Sequence, residues 1–300
     1  MKKVLLALAL CVSFSGMAQL VNVTSIDKVN IPENAANKVA AISPKGDYIL
    51  VTTDYNCGLT KYDLNTGSSQ VITQAQGAGF DAKISADGNT VVYRERSMNK
   101  HHLQMKAVKS KNLTTGAEQQ VVKPTRDLQG VAIDGNTAVA VNNGKIAKKA
   151  IGEGKAQVTA PVLWTNNFML YMSNGGKTTE FMPMGKGYRY IWASLSPDAS
   201  KALFYCSGKG AYVCNIDGTG LKALGKVQAA KWMDNDMIVG MTTTDNGEVY
   251  TSGAIVVLDL NGNSQVLTDG DVIAMYPQPA DGKIAFSTPT GEAYIINFAK

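Results

Sequence analysis

Of the side chains that most often do chemistry, histidine is the scarcest here: His101 and His102 are the only two, and they are adjacent. Neighbours in an extended segment point to opposite sides, so the pair does not converge on one metal ion with tetrahedral or octahedral geometry. No metal or other cofactor is expected. Carboxylates come together at Asp269-Gly270-Asp271, and Asp127 follows Arg126. Two carboxyl groups about 5–5.5 Å apart would suit a retaining glycosidase, and an Asp-Gly-Asp run could offer oxygens to Ca²⁺. A plain turn satisfies the same residues. The chain has no Gly-x-Ser-x-Gly elbow and no Gly-x-x-x-x-Gly-Lys-Ser/Thr phosphate loop. Gly185-Lys186-Gly187 and Gly218-Thr219-Gly220 read as turns, and no catalytic residue is assigned.

Binding chemistry is better represented. The segments Gly187-Tyr188-Arg189-Tyr190-Ile191-Trp192 and Ser97-Met98-Asn99-Lys100-His101-His102 are the most distinctive non-repeating stretches. Tyr, Trp and Arg dominate interface hot spots because they bury large areas and hydrogen-bond at the same time. The candidate binding residues are therefore Tyr188, Arg189, Tyr190, Trp192, Lys100, His101, Arg126, Asp127 and Tyr250. Packing in the core is the competing role for Tyr190 and Trp192.

The elements that position these residues form a repeat. A turn of the type Ser-Pro-x-Gly between two apolar runs recurs as Ser43-Pro44-Lys45-Gly46, Ser85-Ala86-Asp87-Gly88, Ser196-Pro197-Asp198-Ala199 and Pro279-Ala280-Asp281-Gly282. Self-similarity at this spacing marks a repeat architecture. The first unit has strands at Val39–Ile42, Tyr48–Thr53, Thr60–Leu64 and Gln70–Thr73, rich in β-branched and aromatic residues and separated by Gly, Asn, Asp and Pro turns. The second has Phe80–Ile84, Val91–Arg96, Leu103–Val108 and Gln119–Val122. The third has Val131–Ile133, Ala138–Val141, Ile146–Lys149 and Ala156–Thr159. The fourth has Val162–Trp164, Phe168–Met172 and Thr179–Met182, with no clear outer strand. The fifth has Trp192–Leu195, Ala202–Cys206, Ala211–Ile216 and Lys222–Leu224. The sixth has Ala230–Trp232, Met237–Thr242, Ile255–Leu260 and Gln265–Thr268. The last has Val272–Tyr276, Lys283–Ser287 and Ala293–Phe298, and lacks an outer strand.

Val21–Val29 is a strand without a unit, so it is expected to pair onto the last sheet and close a ring, which removes open edges. The spacing predicts an all-β fold, a seven-bladed β-propeller of four-stranded blades closed by the N-terminal strand. Six blades are the alternative if the fourth unit is an insertion. Loops joining one blade to the next, and loops between second and third strands, emerge at one end and carry the candidates above; the Ser-Pro-x-Gly turns emerge at the other.

The turns before β-branched strands, Asp63-Leu64-Asn65-Thr66-Gly67 and Asp259-Leu260-Asn261-Gly262 after third strands, and the closing Thr73, Thr159 and Thr268 resemble the repeats of TolB-like propellers. The resemblance covers nearly the whole chain after its leader and departs at Ala86, Ala199 and the fourth unit. It implies architecture more than function. Similar propeller lyases gather several histidines and a glutamine around a metal, a set this chain cannot supply.

Residues 1–18 read as a signal peptide: basic Lys2-Lys3, an apolar stretch too short to span a bilayer, and small residues before cleavage after Ala18. The remainder, 19–300, reads as a single exported propeller domain, periplasmic or at the cell surface, and not an integral membrane protein. Net charge is +5 with scattered basic residues, which gives no footprint for nucleic acid. Of the cysteines beyond the leader, Cys206 and Cys214 flank a hairpin tip. A three-residue loop would set them diagonally, about 7–8 Å apart, against the roughly 4 Å between Cβ atoms that a bridge needs. Free thiols are expected, a disulfide being the alternative. The reading is a non-catalytic propeller that binds a protein or peptide partner through its loop-bearing face. The alternatives are a glycan-acting hydrolase or lyase with carboxylates at the channel, or a glycan-binding module.

Overall fold

The computed structural model describes residues 19–32 and 38–299; the segment 1–18 expected to be a leader lies outside them. Strands are numbered along the chain from β1 (Asn22–Lys28). Blade 1 is β2 (Lys38–Ile42), β3 (Tyr48–Thr52), β4 (Cys57–Asp63) and β5 (Ser69–Gln76). Blade 2 is β6 (Lys83–Ile84), β7 (Thr90–Met98), β8 (Gln104–Asn112) and β9 (Glu118–Thr125). Blade 3 is β10 (Leu128–Asp134), β11 (Thr137–Asn142) and β12 (Lys145–Ala150), and blade 4 is β13 (Val162–Asn166), β14 (Met169–Asn174) and β15 (Lys177–Glu180). Blade 5 is β16 (Tyr190–Leu195), β17 (Lys201–Cys206), β18 (Gly210–Asn215) and β19 (Lys222–Gly225). Blade 6 is β20 (Gln228–Trp232), β21 (Met237–Asp245), β22 (Tyr250–Asp259) and β23 (Ser264–Val266). Blade 7 is β24 (Met275–Ala280), β25 (Lys283–Ser287) and β26 (Ala293–Ala299), completed by β1. The seven antiparallel sheets make a seven-bladed propeller.

Second strands are the core. Tyr48–Thr52 is buried at every residue, as are Ala138–Val141 and Ile284–Ser287. A strand packed on both faces by neighbouring blades reads as a continuous apolar run, not as an alternation. The ring closes as expected: β1 pairs antiparallel with β26 from Asn22↔Ala299 to Lys28↔Tyr294. The Gln265 side chain accepts the N–H groups of Leu20 and Val21 at 2.8 and 3.0 Å and donates to the Val21 carbonyl at 3.0 Å. These bonds stitch the N-terminal segment to blade 6 as well.

The recurring turn has a chemical reason for its serine. Ser43, Ser85 and Ser196 are buried, and each Oγ accepts the N–H that opens the next strand, from Tyr48 at 3.1, Thr90 at 2.8 and Lys201 at 3.0 Å. Each hydroxyl donates in turn to a carboxylate, of Asp47, Asp87 or Asp198. The fourth instance differs. Pro279 and Ala280 complete β24, which begins later than the expected Val272, and Asp281-Gly282 is a two-residue turn between the paired Ala280 and Lys283.

Blades 3 and 4 have three strands each, not four. The expected strand Ala156–Thr159 is not formed, because side chains take its backbone groups. Thr137 Oγ1 accepts from Gln157 N at 3.0 Å, and the Asp134 carboxylate accepts from Thr159 N at 2.5 and Ala160 N at 3.0 Å. An odd strand count leaves the chain at the turn face when it starts blade 4. Residues 159 and 160 sit by the end of β10, while Trp164 Nε1 donates to Gln129 Oε1, near its start, at 3.1 Å. β13 therefore runs antiparallel to β10. Elsewhere neighbouring inner strands run together: Asp281 N donates to Pro44 O at 3.1 Å and Asp198 N to Asn235 Oδ1 at 3.0 Å, turn to turn. Blade 4 is inverted in the ring, and its own three strands return the chain to the loop face for β16.

A second repeat is visible only in the backbone. Asp81, Trp192, Ala229 and Tyr276 have φ of 56, 51, 47 and 55°, each four or five residues before the turn that ends its inner strand. Three of them lie in β-bulges. Left-handed backbone at non-glycine residues is strained and persists only where its surroundings hold it.

Cys206 lies opposite Gly210, and Cys214 opposite Ala202. That offset is four residues along the ladder, about 13 Å at the strand rise, wider than the diagonal spacing expected, and Cys57, Cys206 and Cys214 are free thiols.

Candidate functional site

The loop face presents its candidates in three neighbourhoods. The most developed lies between blades 4 and 5. Tyr190 is buried, and its ring meets Phe204 edge-on at 5.4 Å. Its hydroxyl accepts Met184 N–H at 3.2 Å and donates to Gly185 O at 3.1 Å, while its own N–H donates to Phe168 O at 2.8 Å. Tyr190 thus anchors the 184–189 loop and offers no surface to a partner, which corrects its place among the contact candidates.

The loop it anchors carries Tyr188 and Arg189. Arg189 lays its guanidinium over the Phe168 ring, 4.0 Å from the centroid, and Phe168 and Tyr188 are 47% and 38% exposed. Among the described residues Arg189 makes no salt bridge. Asn167, Phe168, Met182, Lys186, Tyr188 and Arg189 border a groove of about 410 Å³. Asn167 and Phe168 have φ of 49 and 64°, the two left-handed positions of a tight hairpin turn.

Phe168 was not among the sequence candidates. The turn between a first and second strand belongs on the opposite face in a regular blade, and only the inversion of blade 4 brings it beside Arg189. The available signal was the fourth unit, which had no clear outer strand.

The second neighbourhood borders the channel at blades 5, 6, 7 and 1. Trp192 stands on the innermost strand, 42% exposed, with its ring edge-on to Tyr205 at 5.3 Å. Lys38 Nζ sits 5.2 Å from the Tyr276 ring centroid. Burial pushes the Tyr276 phenol up, and the adjacent Tyr250 phenol adds to the effect. The third neighbourhood holds Lys100, His101, Arg126 and Asp127, all exposed. Asn99 Oδ1 ties its loop by accepting His101 N at 2.9 and Leu103 N at 3.0 Å. Asp127 O accepts Asn143 N at 3.0 Å, which holds that connector to the adjoining hairpin tip. The Asp269 carboxylate accepts Asp271 N at 3.2 Å inside its own turn. Among the described residues no group of three or more His, Cys, Asp or Glu is placed to hold a metal ion, and no helix is long and apolar enough to cross a membrane.

No protein-family model matches the chain, and no curated protein matches it. Solved structures do. A chain of the mitotic checkpoint complex superposes with a TM-score of 0.60 at 8% identity, over 99% of this chain and 98% of that one. The β-propeller domain of Cps50 (Swd1) from Myceliophteria thermophila superposes at 0.56 and 11% identity, over 90% and 99%. TolB from Acinetobacter baumannii gives 0.49 at 16% identity, over 77% of this chain and 54% of that one. At such identities the likeness is one of fold alone: the chain is a seven-bladed β-propeller.

Proposed function

We propose that this chain is an exported, non-catalytic propeller that binds a protein or peptide partner at the groove between blades 4 and 5. The observation that carries the reading is the Arg189–Phe168 stack at 4.0 Å, exposed beside Tyr188. A guanidinium already held over an aromatic ring has lost part of its rotamer freedom before binding, so less is lost on association. Its planar fork of N–H donors matches a carboxylate or a pair of backbone carbonyls. Tyr188 and Phe168 add large, rigid contact area around it, and the Tyr190 hydroxyl fixes the loop that carries the groove's far wall.

The test is capture from the native envelope fraction with chain 19–300, compared with its Arg189→Ala and Tyr188→Ala forms. At least one partner captured by the parent should fall about tenfold or more with each substitution, since loss of a hot spot is worth about 2 kcal/mol or more. If every captured partner is retained by both variants, the groove is not the binding surface. Retention on a glycan array that the same substitutions abolish would make the ligand a glycan.

A further inference from the structure

At the turn end of the channel, opposite the groove, the inner strands of blades 1, 2, 3, 6 and 7 enclose a cavity of about 600 Å³. Part of the wall is apolar, from Ile42, Ile84, Ile133 and Phe298, and two lysines from different blades line it, Lys83 on β6 and Lys231 on β20. Lys231 donates to the Gln278 side-chain oxygen, a neutral partner, and Lys83 donates to the Asp81 carboxylate. The other Asp81 oxygen is 3.6 Å from the Arg94 guanidinium. Arg94 is itself mostly buried, stacked 5.1 Å from the Phe80 centroid, with Nε lacking any partner. One carboxylate is therefore shared by two cations, and Lys231 has no counter-ion in contact. Asp281, which also lines the cavity, is exposed and makes no salt bridge with either lysine among the described residues.

Cations withdrawn from water without matching anions cost stability, and hydrophobic side chains of similar size would pack such a wall more favourably. The cost is visible on Lys231, whose ammonium is pushed down to about 8 by burial first and by Lys83 second, with Asp81 opposing. Asp81 also occupies one of the four strained left-handed positions, φ 56°. Strain and uncompensated charge coincide at one level of one channel, the pattern of a site arranged for a ligand.

We propose that this cavity binds a compact anion carrying two or more negative charges, held between Lys83 and Lys231. The size follows from the cavity, the charge from the two lysine ammonium groups that line it. Phosphate-type and carboxylate-type anions share the chemistry that these groups recognise. The site is at the other end of the channel from the groove and stands or falls independently of it.

Isothermal titration of chain 19–300 with inorganic pyrophosphate and, separately, with citrate tests the proposal and distinguishes the two sources. At least one probe should bind with one-to-one stoichiometry, weaken tenfold or more in Lys231→Gln and in Lys83→Gln, and be unaffected by Lys148→Gln on the exposed edge of blade 3. Lys231→Arg should keep binding within a few-fold, and Lys231→Met, which suits an apolar wall, replaces the glutamine variant if thermal melts show that it does not fold. At pH 8 binding should also take up protons, because an anion beside Lys231 restores its affinity for a proton. The groups facing Lys231 there are Lys83, Asp81 and Gln278, with Arg94 behind Asp81. No heat from either probe, binding unchanged in both lysine variants, or equal loss in Lys148→Gln overturns the proposal.

Discussion

The carboxylate of Asp134 accepts the backbone N–H of Ala160 at 3.0 Å, and this contact ties the last residues before blade 4 to the turn face of blade 3. It stands in for the missing fourth strand and sets the direction in which β13 starts.

Asp134→Ala should therefore cost more than a surface substitution. The carboxylate also accepts from Thr159 N and Oγ1, and hydrogen bonds to a charged group are worth about 1.5–3 kcal/mol. A loss of about 2–3 kcal/mol in urea unfolding is expected, and Asp134→Asn, which keeps one acceptor, should recover part of it. Burial opposes ionisation of Asp134, but the bonds from Ala160 and Thr159 outweigh it and hold the carboxyl below its usual range. A depressed folded value means that the contribution is complete above the unfolded pKa, about 3.9, and fades as pH falls through the lower folded value. Unfolding titrations should show that acid slope flattened in Asp134→Ala. An unchanged slope would assign the stability to other groups.

How far the sequence spoke depended on whether a feature was written in local chemistry. Ser43, Ser85 and Ser196 were legible because a buried hydroxyl bridging a carboxylate and a strand-opening N–H needs that residue at that place in each of the three turns that use it. The closing strand was legible because a lone alternating segment faced a unit one strand short. The inversion of blade 4 was not, since strand direction has no residue signature and follows from counting strands in two adjacent units. Phe168 was lost with it. Lys83 and Lys231 read as scattered surface charge, because only the ring brings residues so far apart in sequence to one cavity. The left-handed positions at Asp81, Trp192, Ala229 and Tyr276 share no side-chain type at all.

Ala199 stands where the equivalent turns have Gly46 and Gly88, and its φ is 57° against their 66 and 78°. Left-handed backbone costs an L-residue about 1–2 kcal/mol, partly offset because glycine loses more freedom on folding. Ala199→Gly should raise stability by about 0.5–1 kcal/mol, read as a higher Tm. Gly88→Ala should lower it by about 1 kcal/mol, since the added Cβ meets nothing closer than a ring carbon of Tyr48 at 4.0 Å and only the dihedral is tested. Equal melting of Ala199→Gly and parent would show that the turn absorbs the conformation without strain.

The free thiols should differ sharply in reactivity. Cys214 is buried, and burial first, then Asp217, pushes its thiol up to about 12; burial also raises Cys206. The thiolate is the reactive species, so both should be inert in the native fold. Cys57 is half-buried, its sulfur 3.7 Å from Gln74 O. Labelling chain 19–300 with a thiol reagent at pH 8 should modify Cys57 rapidly in the native state and Cys206 and Cys214 only after denaturation. Fast native modification of either buried residue would mean that blade 5 opens on the labelling timescale.

Phe168 allows stability and binding to be separated. It holds φ of 64°, unfavourable for a bulky residue, while nearly half of its surface remains in water. Phe168→Gly relieves the backbone by about 1–2 kcal/mol and gives up an exposed cation–π contact worth about 0.5–1 kcal/mol together with a modest apolar area. These terms nearly cancel, so urea unfolding should place Phe168→Gly within about 1 kcal/mol of the parent. Phe168→Leu loses the ring and keeps the strained dihedral, so it should be less stable than the glycine form. Partner capture should fall in both, to the level of Arg189→Ala, because each leaves the guanidinium without its platform. A residue kept for packing would show the reverse order, with the glycine form the less stable and capture following stability. Strained backbone under an exposed aromatic ring is what a binding surface retains at the expense of the fold. Capture at parental strength by Phe168→Gly would remove the ring from the site and leave Arg189 and Tyr188 to be tested without it.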